Sequence, residues 1–330
     1  MAVWRKIRNF AGKFPQFPEN MKKHNETIDI TRCLLIALMV FVHVVNFGDR
    51  NPGVKYAILS FMMPTFLVIT GYLVNVRKSV GGFLNYLLQL FLPYVIMVSG
   101  YMVMSLYLPV RDGITTLDAA TVCRVLFVTS IGPYWFLRVM MVCGLCYYLV
   151  YRLLTSQPVV VRFCMLATLL IVLSVYTPLM SIRCAAYYLM GVGIRHFLHD
   201  FSRVCLPDWW PAIPLVLILM QTDWYDWGSL STLASVWCFL SIASWTDTQL
   251  KGRWRSALRY IGSNTLPIYL FHPIFTMVSK WLLPCFRFEP SGTLHALFTV
   301  ALAIAGSLAI ARMMDATRLS WLFGKARILR

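Results

Sequence analysis

Charge is what this chain has least of. Charged side chains make up 13% of its 330 residues, and only 13 of them are Asp or Glu, whereas a soluble domain carries roughly a quarter. That scarcity excludes an ordinary water-soluble domain. Other features are missing too. The basic amino terminus, "MAVWRKIRNFAGKFPQFPEN", has no apolar core followed by a small-residue cleavage site, so no signal peptide is expected. No repeat of ~20–50 residues recurs, which argues against a solenoid. The apolar runs are continuous rather than alternating, which argues against a β-barrel. Net charge is +17, yet the basic residues form no stripe interleaved with aromatics, so no nucleic-acid partner is expected. Nine cysteines lie mostly within apolar runs. Cys143 and Cys146 form a C-x-x-C without a second pair or a βαβ context, and His196 and His199 lack further ligands nearby. The cysteines are read as packing residues, and no metal site is expected.

What is abundant is hydrocarbon. Apolar residues reach 59%, with 21 Phe, 16 Tyr and 11 Trp. The expected fold is all-α: a polytopic membrane protein of about ten transmembrane helices with both termini cytoplasmic. The spans fall near 31–47, 54–76, 82–108, 133–151, 163–180, 185–198, 209–222, 229–246, 262–283 and 293–313. The sixth and seventh are short and are read as tilted or broken helices. Segment 119–131 is amphipathic and is placed on the surface or as a re-entrant piece. With the amino terminus inside, 22 Lys and Arg fall on the inner side and six in the outer loops, at 50, 55, 111, 124, 183 and 287. That asymmetry follows the positive-inside bias. Three parts follow: a basic cytoplasmic segment 1–27, a transmembrane domain 28–315, and a basic cytoplasmic tail 316–330. Met21 offers a second start, so the first twenty residues are either a membrane-surface extension or upstream of the true start.

Within this apolar chain, ionisable groups in a span need a reason, because each costs several kcal/mol unless it faces protein or water. The first span, "IDITRCLLIALMVFVHVV", holds three: Asp29, Arg32 and His43. Eleven steps of about 100° make three turns, so Arg32 and His43 share a helical face, roughly 16 Å apart along the axis. Asp29 lies one turn before Arg32 and can pair with it. The spacing suits a long, thin ligand with an anionic end at Arg32 and a reactive end at His43, imidazole being the natural proton acceptor near neutral pH. The competing structural reading is an Asp29–Arg32 anchor at the interface and a His43 that satisfies a helix–helix hydrogen bond.

Further motifs follow. "SFMMPTFLVITGYLVNVRK" contains Pro64, then Thr70, Gly71 and Tyr72, and ends on Arg77 and Lys78. "GPYWFLRVMM" places Trp135 and Arg138 early in the fourth span, and "IGSNTLPIYLFHPIF" places Asn264 at a span start with Tyr269 and His272 on one face. Trp135 also suits an interfacial belt, Arg138 an interfacial snorkel, and His272 a cap on the carbonyls freed by Pro273. If His43 needs an orienting partner, the candidates are Thr70, Tyr134, Asn264, Tyr269 and His272. Trp135 or Asn264 could serve as oxyanion donor.

In this order the motifs resemble acyltransferase family 3 along essentially the whole chain. Asp29-x-x-Arg32 followed by His43 matches one family motif, and "FLVITGYL" stands for F-F-x-x-S-G-Y-L, with Thr70 at the serine. "YWFL" and "GSNTLPIYLFH" match two more. The nearest branch is that of fucose 4-O-acetylase-like and polysaccharide O-acetylating proteins. The resemblance implies a membrane O-acyltransferase of the bacterial cytoplasmic (inner) membrane, with His43 catalytic and Arg32 essential. It further implies acetyl-CoA as donor, no bound cofactor, and a surface or lipid-linked glycan as acceptor. Arg77, Lys78, Thr70, Gly71, Tyr72, Trp135, Arg138, Asn264, Tyr269 and His272 are the expected substrate- and donor-binding residues. One feature departs: where the family carries an arginine pair at the start of the third span, this chain has Asn85 and Gln89. A transporter or flippase for a polysaccharide or its precursor is the alternative reading, and a homo-oligomer is left open.

Overall fold

The computed structural model describes residues 19–107 and 113–330, and of 19–25 the backbone alone. Most of the segment expected at 1–27, and the outer-loop Arg111, lie outside the described residues. Those described form helices and turns without a strand. Six helical stretches are long and apolar enough to cross a membrane: Pro52–Leu73, Val80–Ser105, Gly132–Leu153, Val159–Tyr176, Thr265–Phe286 and Thr293–Ala316.

The opening helix, α1 (Glu19–Val42), is not among the six, because its first half is polar. It begins well before the expected span and ends earlier. His43 sits in a tight turn, its N–H donating to Val40 O at 3.1 Å, and Val44 is extended before the short α2 (Val45–Arg50). The β-branched pair Val44–Val45 opposes continuation of the helix. Next come α3 (Pro52–Leu73) and α4 (Val80–Ser105). The segment expected to be amphipathic is α5 (Ala119–Arg124) and a wider turn to Thr129. It leads into α6 (Trp135–Leu153), α7 (Val159–Tyr176) and α8 (Ile182–Gly193). The chain closes with α9 (Ala212–Leu219), α10 (Leu230–Gln249), α11 (Gly252–Ser263), α12 (Thr265–Val278) and α13 (Thr293–Ala316). The regions expected to be the short sixth and seventh spans are thus helices of 12 and 8 residues. At 1.5 Å per residue neither reaches across a bilayer alone.

α1 is central despite its polarity, packing against α3, α10, α11, α12 and α13. α3 is 67% buried over its apolar window, whereas α7 is 11% buried and forms the periphery. α3 and α8 meet backbone to backbone. A Cβ on Gly71 would lie 2.1 Å from Tyr188 O, and one on Gly191 would lie 1.9 Å from Val68 O. Glycines at both positions are what allow this contact, the small-residue device of membrane helix pairs.

A polar clasp fixes α1 to its neighbours at the Arg32 end. Asp247 of α10, 4% exposed, accepts from Thr27 Oγ1 and from Arg255 Nε, both at 2.7 Å. Asp247→Ala is expected to cost about 2 kcal/mol, because it strands a buried hydroxyl and a guanidinium. Thermal unfolding in detergent should show a fall of several degrees; an unchanged midpoint would mean the clasp is idle.

Candidate active site

A cavity of about 460 Å³ follows the face of α1 that carries Arg32, Ile36 and Met39. This size falls within the range of small-molecule sites. Its polar groups are gathered at the Arg32 end: Asp29, Lys78, Asn264, Thr265, Lys325 and Arg330. Deeper in, Met39, Met63, Phe66 and Phe136 line it.

Arg32 is held from two elements. Nη1 donates to Asp29 Oδ1 at 3.1 Å, and Nη2 to Thr265 Oγ1, the first residue of α12, at 2.6 Å. Close approach of α11 permits this. A Cβ on Gly262 would sit 1.8 Å from the Asp29 carbonyl oxygen, so only glycine allows the contact. Asn264 is 2% exposed, and its Nδ2 donates to Tyr260 O at 2.8 Å while its Oδ1 accepts from Arg330 N. Lys78 Nζ lies 4.7 Å above the Tyr86 ring. In the tail, burial and the neighbouring Arg330 guanidinium push the Lys325 ammonium down to about 8.

His43 lies one turn past Met39, on the same face but beyond the residues that line the cavity. Its Nδ1 meets Met39 O at 2.6 Å. A carbonyl only accepts, so Nδ1 carries the proton and Nε2 is the basic nitrogen. The ring stands edge-on to His272, with centroids 5.2 Å apart. His272 is itself 1% exposed, and its Nδ1 donates to Tyr269 O at 2.8 Å. That carbonyl is the one Pro273 leaves without a helical donor, four residues back, so the capping reading of His272 is the geometry observed. His272 Nε2 has no hydrogen-bond partner among the described residues.

Six of the expected site residues therefore meet in one cavity: Asp29, Arg32, Thr70, Lys78, Asn264 and Tyr269. His43 and His272 pair just beyond its deep end. Five are placed elsewhere. Gly71 is spent on the α3–α8 crossing. Tyr72 packs on Phe201, and its carbonyl accepts from Arg195. Arg77 is exposed beside the mouth. Trp135 turns away while Phe136 and Leu137 line the wall. Arg138 does not snorkel: it is 8% exposed, with Nε and Nη1 unpaired among the described residues. The Nδ1 of His43 is held by its own helix carbonyl, Met39 O, and of the candidate partners on other spans His272 is in ring contact with it. Asn264, at the Arg32 end and already bonded through Nδ2, is not placed as an oxyanion donor at His43.

Sequence reading missed Thr265, Lys325 and Arg330. In the sequence the five cations from Arg312 onward count only toward the positive-inside asymmetry. The apolar residues between them were the available signal, since Phe323 and Ile328 are buried against the bundle.

An all-helical bundle with several membrane-length helices defines a multi-pass membrane protein, and its polar-mouthed cavity has the size of a small-molecule site. The model of the family described as "Acyltransferase domain" matches residues 25–312. The chain belongs to acyltransferase family 3 and is a membrane acyltransferase. The particular fucose or polysaccharide branch does not follow from that match. No curated protein and no solved structure matches the chain.

Proposed function

We propose that this chain is an integral membrane O-acyltransferase. It moves an acetyl group from cytoplasmic acetyl-CoA to a hydroxyl of a cell-surface or lipid-linked glycan, in the inner membrane of a bacterium. The observation that carries the reading is the cavity along α1, cationic at Arg32, apolar to Met39, with a histidine pair one turn further. From Arg32 to His43, one turn past the cavity's Met39 end, is about 16 Å of helix, on the order of CoA's extended arm. Ten crossings with both termini inside remain the topology proposed, on the strength of the 22-to-6 charge split.

In this mechanism Arg32 grips a donor phosphate, pre-aligned by Asp29 and Thr265. Lys78 shares that load. His43 Nε2 takes the proton of the acceptor hydroxyl as its oxygen attacks the thioester carbonyl; the C–S bond breaks and the CoA thiolate leaves. Transfer through an acetyl-histidine is the alternative route with the same balance. An open cleft of about 370 Å³, lined by Tyr56, Ser60, Thr222, Tyr225 and Trp227, lies away from the Arg32 mouth. Its aromatic faces and hydroxyls suit a sugar. The transporter reading draws no support from the family match.

The test is donor consumption. Purified protein in detergent is expected to release free thiol from acetyl-CoA, faster with acceptor glycan present. Arg32→Lys, which loses the planar fork, is expected to raise the acetyl-CoA KM about tenfold with kcat less affected. Glycan flux into vesicles without thiol release would refute the enzyme reading.

A further inference from the structure

Residues 317–330 turn back onto the bundle. Arg318 and Gly324 take positive φ, 60° and 65°, where the chain reverses after α13. Asp315 holds the return: its carboxylate accepts from Ser320 Oγ at 2.5 Å, from Ile328 N at 2.7 Å and from Leu329 N at 3.1 Å. Asn264 Oδ1 then accepts from Arg330 N at 2.8 Å. Ser320, Phe323 and Ile328 are buried beneath this turn. The result is that Lys325 and Arg330 reach the cavity that also holds Arg32 and Lys78. Gly324 seats the tail on α4, where a Cβ would lie 3.2 Å from Leu92 and 3.8 Å from Gln89.

The charge balance is lopsided. Four cationic side chains line the cavity, and the only side-chain carboxylate among the lining residues is that of Asp29, already paired with Arg32. Lys325 and Arg330 share this wall; burial first, and then the Arg330 guanidinium, lower the lysine, with Asp315 opposing the effect. A polyanion entering the mouth would balance these charges and accept charge-assisted hydrogen bonds. α4 itself presents Gln89, an uncharged amide, at this wall.

We propose that the carboxy-proximal tail, through Lys325 and Arg330, completes a phosphate-binding subsite with Arg32 and Lys78 for the nucleotide end of the acyl donor. The assignment to a nucleotide donor rests on the acyl-CoA reading above; the anion subsite rests on the tail geometry. It also makes the tail a working wall of the cavity.

Isothermal titration of the full chain in detergent, with CoA and separately with inorganic pyrophosphate, tests this. The wild type is expected to bind both. Lys325→Gln/Arg330→Gln is expected to weaken each by about tenfold or more, as loss of charged hydrogen bonds implies. Arg312→Gln, at an exposed residue outside the cavity, is expected to change neither. If the double variant binds CoA like wild type, the tail assignment is overturned and the donor reading stands. Pyrophosphate binding that depends on the tail, without CoA binding, keeps the subsite and sinks the donor reading. Binding of neither by the wild type overturns both. Should the double variant unfold, Lys325→Gln is compared with Lys325→Arg: loss in the first and retention in the second support the subsite, and equal losses overturn it.

Discussion

Replacing His43 with alanine is expected to lower kcat for transfer from acetyl-CoA by about 10²–10⁴-fold, the usual worth of a positioned general base. That is about 2.7–5.4 kcal/mol of transition-state stabilisation. The donor KM should stay within about twofold, because His43 lies roughly 16 Å along the helix from the arginine proposed to hold phosphate. Folding should change little. His43 is only partly buried, its Nδ1 bonds its own helix through Met39 O, and its ring meets His272 edge-on, a contact worth about 1 kcal/mol. His272 is the informative comparison. Its Nδ1 caps the Tyr269 carbonyl freed by Pro273, so His272→Ala is expected to lose stability, by about 1–3 kcal/mol, along with activity. Thiol release with and without acceptor, beside thermal unfolding of both variants, separates the two roles. A His43→Ala protein retaining more than about a tenth of wild-type kcat would remove His43 from the chemistry.

Gly262→Ala is expected to damage the cavity from outside it. Its Cβ would lie 1.8 Å from the Asp29 carbonyl oxygen and 2.5 Å from the carbonyl carbon. Both atoms belong to backbone, which cannot rotate away, so α11 must retreat from α1. The same two regions are joined three residues later by the Arg32–Thr265 hydrogen bond of 2.6 Å. Separation should therefore loosen Arg32 while straining the helix pair. Overpacking of this kind costs about 1–3 kcal/mol, and lost positioning should raise the acetyl-CoA KM by about tenfold or more. Gly100→Ala is the control: a Cβ there meets nothing within 4 Å. Within a helix that substitution should be neutral or stabilising by up to about 1 kcal/mol. If both variants unfold and turn over alike, the close crossing of α11 and α1 does not govern the site.

Much of the fold was legible in the linear chain because a bilayer imposes one simple demand. Every backbone polar group must be paired within its own segment, so long apolar runs become helices. That is why Pro52–Leu73, Val80–Ser105 and Thr293–Ala316 lie where hydropathy placed them. It fails where composition and length diverge. α1 carries a polar first half and is still central, and Ala212–Leu219 is only eight residues long. Short range also explains which site residues were legible. Arg32 with Asp29 follows from one helical turn, and the shared face of Arg32 and His43 from eleven residues of helix.

The chain's own order of residues determined an all-helical membrane protein, the Asp29–Arg32 pair and the face that points His43 along the same line as Arg32. These depend on hydrophobicity and on helical period, both local properties. Only the folded bundle decided that Gly71 serves a helix crossing, that His272 stands against His43, and that Lys325 and Arg330 line the cavity. Such contacts join residues up to hundreds of positions apart, and no periodicity in a sequence encodes which distant backbone will come close enough to require a glycine or to place a cation.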